Sequence, residues 1–317
     1  MQLPRIIFGA MAHHGATTGE ARVRTLRAAA DLGYAAFDTA PLYGFGDSER
    51  CLGEALKPHP DAVVMSKVGL RWDADHGEIL FATPERTVRK DSRPRSVLDE
   101  IDQSLERLGR DHIELVHLHH PDVHVPIGET MDALREALSA KKIGAIGVSN
   151  FSPEQLRAAA GALAPTPLFS VQDGYNLVER DAERQLLPMC AAADRAFLAF
   201  SPLAQGLLAG KLLDDPRIAE GDWRAHDPKF QPHNLRLIHD AIRTSLQPIA
   251  RARGVSLAET ALAWLLAEPG VTSVIAGART LEHAESNLRA VRLSLTDTER
   301  AQLHRTFEAV KIQRARG

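Results

Sequence analysis

The feature that most constrains the fold of this chain is a repeated alternation between short apolar runs and longer segments in which apolar residues recur at helical spacing. The short runs are apolar throughout instead of alternating with polar residues, which is typical of parallel strands buried on both faces. We interpret these runs as strands. The predicted strands cover residues 5–8, 35–38, 62–67, 113–119, 145–149, 169–172, 197–200 and 273–276.

The predicted helices lie between these strands, and several begin with a capping sequence. Ser152, Pro153 and Gln155 combine an N-cap hydroxyl, a proline at the first helical position and the closing residue of a capping box. Roughly eight strand–helix pairs predict an α/β fold of the (β/α)₈ type, a TIM barrel, rather than a doubly wound sheet. The predicted helices cover residues 18–32, 48–56, 95–108, 127–140, 153–163, 180–193, 235–253 and 281–290.

Three segments depart from this repeat. Residues 69–91 form a long charged insert after the third strand, and residues 203–234 form a second long loop after the seventh. Loops of this length are often functional, so we expect both to overhang the mouth of the barrel. The tail from residue 293 reads as an extra capped C-terminal helix. Because no stretch resembles a linker, we interpret residues 1–317 as one domain.

The composition excludes several classes of protein. A chain with 44% hydrophobic and 25% charged residues can bury a large core, and a net charge of -3 argues against general affinity for nucleic acid or anionic membranes. No apolar run approaches the roughly 20 residues that span a bilayer, and the N-terminus has no signal-peptide pattern. Two cysteines, Cys51 and Cys190, are too few for a disulfide framework. We therefore expect a cytoplasmic protein.

Polar residues cluster where the predicted strands end. Asp38 and Tyr43 follow the second strand, Lys67 ends the third and His119 ends the fourth. Taken singly, each has an ordinary structural interpretation, such as a packed tyrosine, an ion pair or a hydrogen-bonded core histidine. Because catalytic residues of such barrels lie at the C-terminal ends of the strands, four of them at one mouth indicate a functional site.

A metal site is the alternative for the pair His117 and His119, since alternate residues of a strand point the same way. Such a site needs further histidines and a carboxylate at other strand ends. The eighth strand ends in Ala276, Gly277 and Ala278, with no aspartate. We therefore predict no metal, and interpret His117 as a hydrogen-bonded interior residue.

Seven motifs, in order along nearly the whole chain, resemble those of the aldo-keto reductase family. They are FDTAPLYGFGDSERCLG at 37–53, Lys67, LHHPD at 118–122, KIGAIGVSNF at 142–151, VQDGYNL at 171–177, FSPLAQGLLAGK at 200–211 and VIAGARTLEHAESNL at 274–288. The resemblance implies reduction of an aldehyde or ketone by hydride transfer from NADPH, or the reverse oxidation. It further implies a catalytic tetrad of Asp38, Tyr43, Lys67 and His119.

The chemistry explains why the implied tetrad needs these residue types. A proton must reach the carbonyl oxygen, and a tyrosine with its ordinary pKa of about 10 is a reluctant acid. We expect the Lys67 ammonium to lower the pKa of Tyr43, and Asp38 to hold that ammonium in place. His119 can donate a hydrogen bond to the substrate oxygen. Tyr43 is thus the implied proton donor.

The resemblance also implies a cofactor site at the mouth of the barrel. Ser149, Asn150 and Gln172 should hydrogen-bond the nicotinamide carboxamide, and Phe200 should stack on its ring, where many relatives have tyrosine. Taken alone, Ser149 and Asn150 also fit the cap of the following helix. The implied cofactor residues are Gly9, Met11, Asp38, Ser149, Asn150, Gln172, Phe200, Ser201, Pro202, Leu203, Gly206, Lys211, Gly277, Arg279, His283 and Asn287.

The adenosine end of the implied site decides between NADPH and NADH. We expect Gly277 to open a helix N-terminus suited to phosphate, and Arg279 to bind a 2′-phosphate, which favours NADPH over NADH. The chain departs from the family at His283, where relatives often have Gln or Arg, and at Ser286, where a Glu usually precedes the adenine-contacting asparagine.

The substrate and the physiological role stay open at this stage. Our candidates for a substrate pocket are Phe45, Trp72, His120 and Trp223. The expected partner is a small carbonyl compound, and the sequence says nothing of the oligomeric state. The alternative to an enzyme is a regulatory subunit or redox sensor that keeps the barrel and binds NADPH with little turnover.

Overall fold

A closed barrel of eight parallel strands forms the centre of this protein in the computed structural model, which describes residues 1–11, 19–215, 217–218 and 221–313. The order around the barrel is β1-β11-β10-β9-β8-β7-β3-β2, and the remaining strands form a separate sheet. The strands are β1 (Ile6–Gly9), β2 (Ala36–Asp38), β3 (Val63–Val68), β4 (Leu70–Arg71), β5 (Glu78–Ala82), β6 (Thr87–Lys90), β7 (Leu115–Leu118), β8 (Ile146–Ser149), β9 (Ser170–Gly174), β10 (Ala196–Phe200) and β11 (Val271–Gly277).

Helices connect the strands and cover the outside of the barrel. The helices are α1 (Gly19–Asp31), α2 (Asp47–Leu56), α3 (Pro94–Leu108), α4 (Ile127–Ser139), α5 (Pro153–Leu163), α6 (Leu186–Ala192), α7 (Pro232–Ala241), α8 (Gln247–Arg253), α9 (Leu257–Ala267), α10 (Leu281–Ala290) and α11 (Asp297–Glu308). The predicted TIM barrel is therefore confirmed, with every predicted strand in place. The first predicted helix began at Thr18, which lies outside the described residues.

The barrel is filled from the inside by apolar side chains from alternate strand positions. Its bottom is sealed by the first few residues, since Leu3 packs on this inner cluster. Arg5 reinforces the seal by donating to the carbonyls of Val271 at 2.5 Å and Thr272 at 2.6 Å. The inner cluster is built from Ile7, Ala36, Met65, Leu115, Leu198 and Ile275.

The predicted capped helices are also present. Ser152 accepts from the backbone of Gln155 and closes a capping box at the start of α5, so the cap of that helix is Ser152 and neither Ser149 nor Asn150. Thr296 forms the same motif with Glu299 and begins α11, the expected extra C-terminal helix. The long loop after β10 is present as well, and contains two short 3₁₀ helices within residues 223–230.

One helix was missed, and another is divided into two. The missed helix is α9, which lies between β10 and β11 along the chain and contacts β11; the sequence analysis predicted nothing there. Residues 235–253, predicted as one helix, are helical as expected but form α7 and α8, joined by one π-helical turn at Ile242–Leu246. The sequence of α9, LAETALAWLLA, is apolar on nearly all sides, so it lacks the amphipathic period on which the prediction depended.

The insert after β3 is more ordered than predicted. Residues 69–91 were read as a charged loop, but they form a three-stranded antiparallel sheet in the order β4-β6-β5. Gly69 begins this sheet with a φ of +93°, and a Cβ there would lie 2.8 Å from Leu118 Cδ1. The insert therefore leaves the barrel at the C-terminal end of β3, the end that carries the predicted site.

None of the helices in the described ranges combines the length and apolarity that a membrane crossing requires. The interpretation of residues 1–317 as one domain stays a prediction.

Candidate active site

A buried ion pair lies at the C-terminal end of β2 and β3. Lys67 Nζ donates to Asp38 Oδ1 at 2.6 Å and to the backbone carbonyl of Thr39 at 2.9 Å, and both charged side chains are almost fully buried. Lys67 lies two residues beyond Met65 on β3, so its side chain points into the barrel. The strand geometry thus holds an ammonium at the barrel mouth.

Tyr43 and His119 complete the predicted tetrad around that ammonium. Lys67 Nζ lies 4.9 Å from the centroid of the Tyr43 ring, and the His119 ring meets the Tyr43 ring edge-on at 5.9 Å. Tyr43 reaches this place from the turn after β2, where its N–H donates to Ala40 O at 3.1 Å. The structure therefore brings together all four residues that the sequence analysis grouped.

The protonation state of Tyr43 differs from the expectation. The pKa of the phenol is raised, because burial of the hydroxyl outweighs the charge of Lys67 and its hydrogen bond, which lower the pKa, while the charge of Asp38 raises it. Lys67 thus limits the effect of burial instead of making Tyr43 more acidic than an ordinary tyrosine. Tyr43 keeps its proton at neutral pH.

Lys67 remains an ammonium in this environment. Burial lowers its pKa, but the charges and hydrogen bonds of Asp38 and Tyr43 outweigh that loss, so the pKa of Lys67 is raised overall. The site therefore holds a permanent positive charge beside a protonated phenol.

The histidines of this region are neutral. Burial, followed by the charge of Lys67, places the pKa of His119 well below its ordinary value. Burial, followed by the charge of Lys90, lowers the pKa of His120 to about 4, and its ring stacks on that of His119 at 5.4 Å. A neutral imidazole can donate one hydrogen bond to an oxygen at the site without adding charge.

Gln172 has a contact that the sequence analysis missed. Its Nε2 donates to Asp38 Oδ2 at 2.8 Å, from β9 on the opposite side of the barrel. Both oxygens of Asp38 are therefore occupied, one by Lys67 and one by Gln172. Nothing in the sequence signals this bond, since it joins residues that are 134 positions apart.

Asn150 is held beside the same site. Its Nδ2 donates to the backbone carbonyl of His119 at 2.9 Å and to Ser149 Oγ at 3.1 Å, and its backbone has a φ of +60°. These bonds fix the orientation of the side-chain amide. The amide oxygens of Asn150 and Gln172 are then available as acceptors for a carboxamide, as expected of a nicotinamide site.

The loop after β10 has the geometry of an anion-binding turn. Ser201, Ala204, Gln205 and Gly206 have φ values of +50°, +46°, +53° and +99°. Left-handed backbone in non-glycine residues is strained and concentrates at functional sites, and successive N–H groups in such turns form concave anion sites. These observations fit a pyrophosphate group.

The other residues predicted to bind the cofactor here lie at the ends of β10 and β1 or just beyond them. Phe200 packs against the inner cluster at the top of the barrel, Pro202 is buried, and Leu203 is partly exposed. At the end of β1, Gly9 pairs with both Asp38 and Gly277, and Met11 is 47% exposed just beyond it.

The end of β11 differs from the prediction. Gly277 does not open a helix, because it is the last residue of β11 and α10 begins only at Leu281, capped by Thr280. Asn287 is buried and donates to Gly277 O at 3.3 Å, so it ties α10 to the strand end.

Basic groups nevertheless collect near the start of α10. Burial, followed by the charges of Lys211 and Arg279, lowers the pKa of the His283 imidazole. Arg279 is exposed. A 2′-phosphate would find three nitrogen-bearing side chains here.

The predicted substrate residues are partly assembled. The rings of Phe45 and Trp72 meet edge-on at 5.6 Å, and His120 lies against Asn150, with Nε2 3.4 Å from its Nδ2. Phe45 and Trp72 come from the turn after β2 and from the insert. Trp223 begins a 3₁₀ helix in the long loop, but its side chain lies outside what the structure describes.

The alternative of a metal site at His117 and His119 lacks further ligands. In the described part of the chain, no group of three His, Cys, Asp or Glu side chains could hold an ion. His117 instead lies within hydrogen-bond distance of Ser170, with Nε2 3.0 Å from Oγ, and burial lowers its pKa to about 3. It is a hydrogen-bonded interior residue, as predicted.

Comparison with known proteins agrees with this geometry. The family model of the Aldo/keto reductase family matches residues 5–307. The aldo-keto reductase YhdN of Bacillus subtilis (strain 168) is 37% identical over 269 residues, 84% of this chain and 77% of the relative. The NADH-specific methylglyoxal reductase of Escherichia coli (strain K12) is 32% identical over 310 residues, 96% of this chain and 93% of the relative.

A solved structure extends the likeness to the fold. The glycerol dehydrogenase AKR11B4 from Gluconobacter oxydans superimposes with a TM-score of 0.87 at 34% identity, covering 99% of this chain and 94% of that one. The chain belongs to the aldo/keto reductase family.

Proposed function

We propose that this protein reduces an aldehyde or ketone to an alcohol with NADPH, or runs the reverse oxidation, and that Tyr43 is the proton donor. Its family membership makes it an oxidoreductase that acts on carbonyl compounds with a nicotinamide cofactor. The observation that carries the proposal is the contact between a protonated phenol, Tyr43, and the buried ammonium of Lys67.

The residues of the site fit a nicotinamide nucleotide. Asn150 and Gln172 offer oriented amide groups at the top of the barrel. The left-handed turn after β10 has the curvature of an anion site, although the N–H groups of Ala204 and Gly206 are already bonded within it. When bound, the reduced nicotinamide supplies the hydride that adds to the carbonyl carbon.

The protein's part is to deliver a proton to the carbonyl oxygen. As the hydride adds, the electrons of the carbonyl double bond move onto its oxygen, and that oxygen takes the proton of Tyr43 to become the alcohol. The Lys67 ammonium stabilises the phenolate left behind, and water returns a proton to it afterwards. His119, neutral in this site, donates a hydrogen bond to the same oxygen.

The arrangement of Asp38 explains why Lys67 stays charged and fixed. One carboxylate oxygen accepts from Lys67 at 2.6 Å, and the other accepts from Gln172 at 2.8 Å. A buried carboxylate with both oxygens bonded can hold the ammonium without leaving an unpaired charge. Asp38 is thus proposed as a positioning residue for the Lys67–Tyr43 pair.

We favour NADPH over NADH because of the basic groups around Arg279. Lys211 and Arg279 lie close enough to His283 for their charges to act on it, and an additional phosphate would be stabilised by these two cations. The Escherichia coli relative is NADH-specific by name. The preference of this protein is therefore a quantity to measure with both cofactors.

Turnover with Tyr43→Phe tests the proposal. NADPH oxidation is followed with a panel of aromatic and aliphatic aldehydes. The wild type should turn over repeatedly, whereas Tyr43→Phe should lose at least about 100-fold in kcat, because it has no proton to donate. NADPH affinity, measured by fluorescence titration, should change little.

Tyr175→Phe is a matched control. Its hydroxyl donates to Glu183 at 2.7 Å, outside the tetrad, so its removal should leave kcat nearly unchanged. Unchanged turnover in Tyr43→Phe would refute the proposed proton donor. A single slow oxidation per chain in the wild type would refute the proposed catalytic turnover.

A further inference from the structure

The turn that presents Tyr43 also presents Phe45 in a strained backbone conformation. Gly44, Phe45 and Gly46 have φ values of +63°, +54° and +93°, three consecutive residues in left-handed conformations. Glycine adopts such angles freely, but a phenylalanine does so at a cost, and residues of this kind concentrate at functional sites. The turn thus places one aromatic ring two residues beyond Tyr43.

Two side chains from the insert sheet hold that ring. Trp72 meets it edge-on at 5.6 Å, and the guanidinium carbon of Arg86 lies 4.3 Å from its centroid. A guanidinium this close to an aromatic ring makes a favourable cation–π contact. Arg86 is therefore placed at the rim of the candidate site.

The backbone of Arg86 is itself fixed. It ends the turn between β5 and β6, where Thr83 N donates to Arg86 O at 2.7 Å and Arg86 N donates to Thr83 Oγ1 at 3.1 Å. Pro84, between them, has the φ that such a turn requires. The position of Arg86 is therefore fixed at its backbone by a closed turn and at its guanidinium by an aromatic ring.

Arg86 differs from the other arginines and lysines of the insert in its partners. It is exposed, and within the described ranges its guanidinium makes no ion pair and no hydrogen bond. The other cations are engaged, with Arg71 2.7 Å from Asp73, Lys90 3.2 Å from Glu78, and Arg89 donating to Gly77 O at 2.9 Å.

We propose that Arg86 is a specificity-determining residue that binds an anionic group, a carboxylate or a phosphate, on the carbonyl substrate. The inference rests on the proposed reductase function and names the substrate class of that same site. Phe45 lies two residues beyond the proton donor in the chain, and its ring contacts the guanidinium. In this proposal the substrate's apolar part contacts Phe45 while its anionic end reaches Arg86.

The chemistry favours an arginine in this role. Its planar guanidinium can face the ring with its π surface and still present in-plane N–H groups to two oxygens of an anion. Because the ring and the turn already order Arg86, less side-chain entropy is lost on binding than for a free surface arginine. The selectivity of the site should therefore depend on the charge of the substrate.

A matched set of aldehydes tests this. The anionic probes are 4-carboxybenzaldehyde and 4-formylphenyl phosphate, and the neutral probe is methyl 4-formylbenzoate, the ester of the first. For each variant we compare kcat/KM for each anionic aldehyde with that for the neutral ester. The two anionic probes distinguish carboxylate from phosphate as the preferred group.

Arg86→Gln should lower the ratio of anionic to neutral kcat/KM at least about fivefold while changing the rate with the ester by less than about twofold. Arg86→Lys should keep part of the preference, and Arg86→Glu should lower the ratio further. Added salt should reduce the wild-type ratio and affect Arg86→Gln less.

Arg24→Gln is the control for a change in net charge. Arg24 lies on α1, with its side chain 72% exposed and only a 3.8 Å contact with Glu20, so the ratio should stay at the wild-type value.

If Arg86→Gln leaves the ratio of anionic to neutral kcat/KM unchanged, the inference is overturned. This includes the case in which kcat/KM falls equally for both kinds of aldehyde, because Arg86 then only supports the ring of Phe45. Turnover of the ester with an unchanged ratio leaves the proposed function standing. No turnover of any of the three aldehydes by the wild type overturns the proposed function and this inference with it.

Discussion

Glu100 is a buried acid behind β3, and replacing it with glutamine should remove a pH-dependent loss of stability. Its Oε2 accepts from Gly69 N at 2.6 Å, where the chain leaves the barrel for the insert sheet. Burial is the main cause that raises the pKa of this carboxyl from 4.5 to about 8, and the charge of Glu49 adds to it. The hydrogen bond from Gly69 N, followed by the charges of Arg71 and Arg107, acts in the opposite direction without cancelling the shift.

The sign follows from proton binding. Between pH 4.5 and about 8 the folded protein keeps a proton on Glu100 that the unfolded chain has lost, so the free energy of unfolding falls as the pH rises through this window. At 1.36 kcal/mol for each pKa unit, the carboxyl costs about 4 kcal/mol more at about pH 9 than at about pH 5. Glutamine cannot ionise, but it can still accept from Gly69.

Urea unfolding followed by circular dichroism, for wild type and Glu100→Gln across that pH range, measures this cost. The stability of the variant relative to the wild type should rise by about 4 kcal/mol from acid to alkaline pH. Taking the difference cancels the histidines, which titrate in both proteins. Glu106→Gln, an exposed position on the same helix, is the control and should show no such trend. A relative change below about 1 kcal/mol would refute the argument that burial dominates at Glu100.

Two further substitutions test the candidate site. Gln172→Leu removes the donor to Asp38 Oδ2, so we expect kcat to fall about tenfold, because the carboxylate that holds Lys67 loses one of its two hydrogen-bond donors; an unchanged kcat would limit Gln172 to binding the cofactor. Arg279→Gln should weaken NADP⁺ at least about tenfold in fluorescence titration and NAD⁺ by less than about threefold, because only NADP⁺ carries the 2′-phosphate. Equal losses for the two nucleotides would place that phosphate elsewhere.

The barrel could be predicted because its strands are buried on both faces. Runs such as the one at β10, AFLAF, are apolar throughout, so the pattern along the chain is enough to find them. Burial on all sides also explains why α9 was not predicted. Its residues from Thr260 to Leu265 are all buried, so no polar face marks the helical period. Amphipathic helices were found, and a helix enclosed on all sides was not.

The insert sheet could not be predicted for the opposite reason. Four of the five residues of β5 are exposed, and its one charged residue, Glu78, pairs with Lys90 of β6 across the sheet. A two-residue alternation is weak in such short, exposed strands, and the pairing depends on contacts that the linear pattern does not contain. The position of Arg86 over Phe45 was therefore beyond what the sequence could indicate.

The residues of the tetrad and the proposed specificity residues are positioned by different kinds of structure. This difference explains why the tetrad could be grouped from the sequence, whereas the specificity residues could not. Asp38 and Lys67 lie on adjacent parallel strands, in which Asp38 pairs with Met65, so Lys67 stands two residues further along and its long side chain reaches the carboxylate. Phe45 lies in the turn after β2, and Arg86 lies in the hairpin between β5 and β6. Their contact therefore requires two separate segments of the backbone to fold over the same barrel mouth. A barrel of this kind can keep the proton donor fixed while the hairpin changes, which is why substitutions at Arg86 should alter the choice of substrate without altering the chemistry at Tyr43.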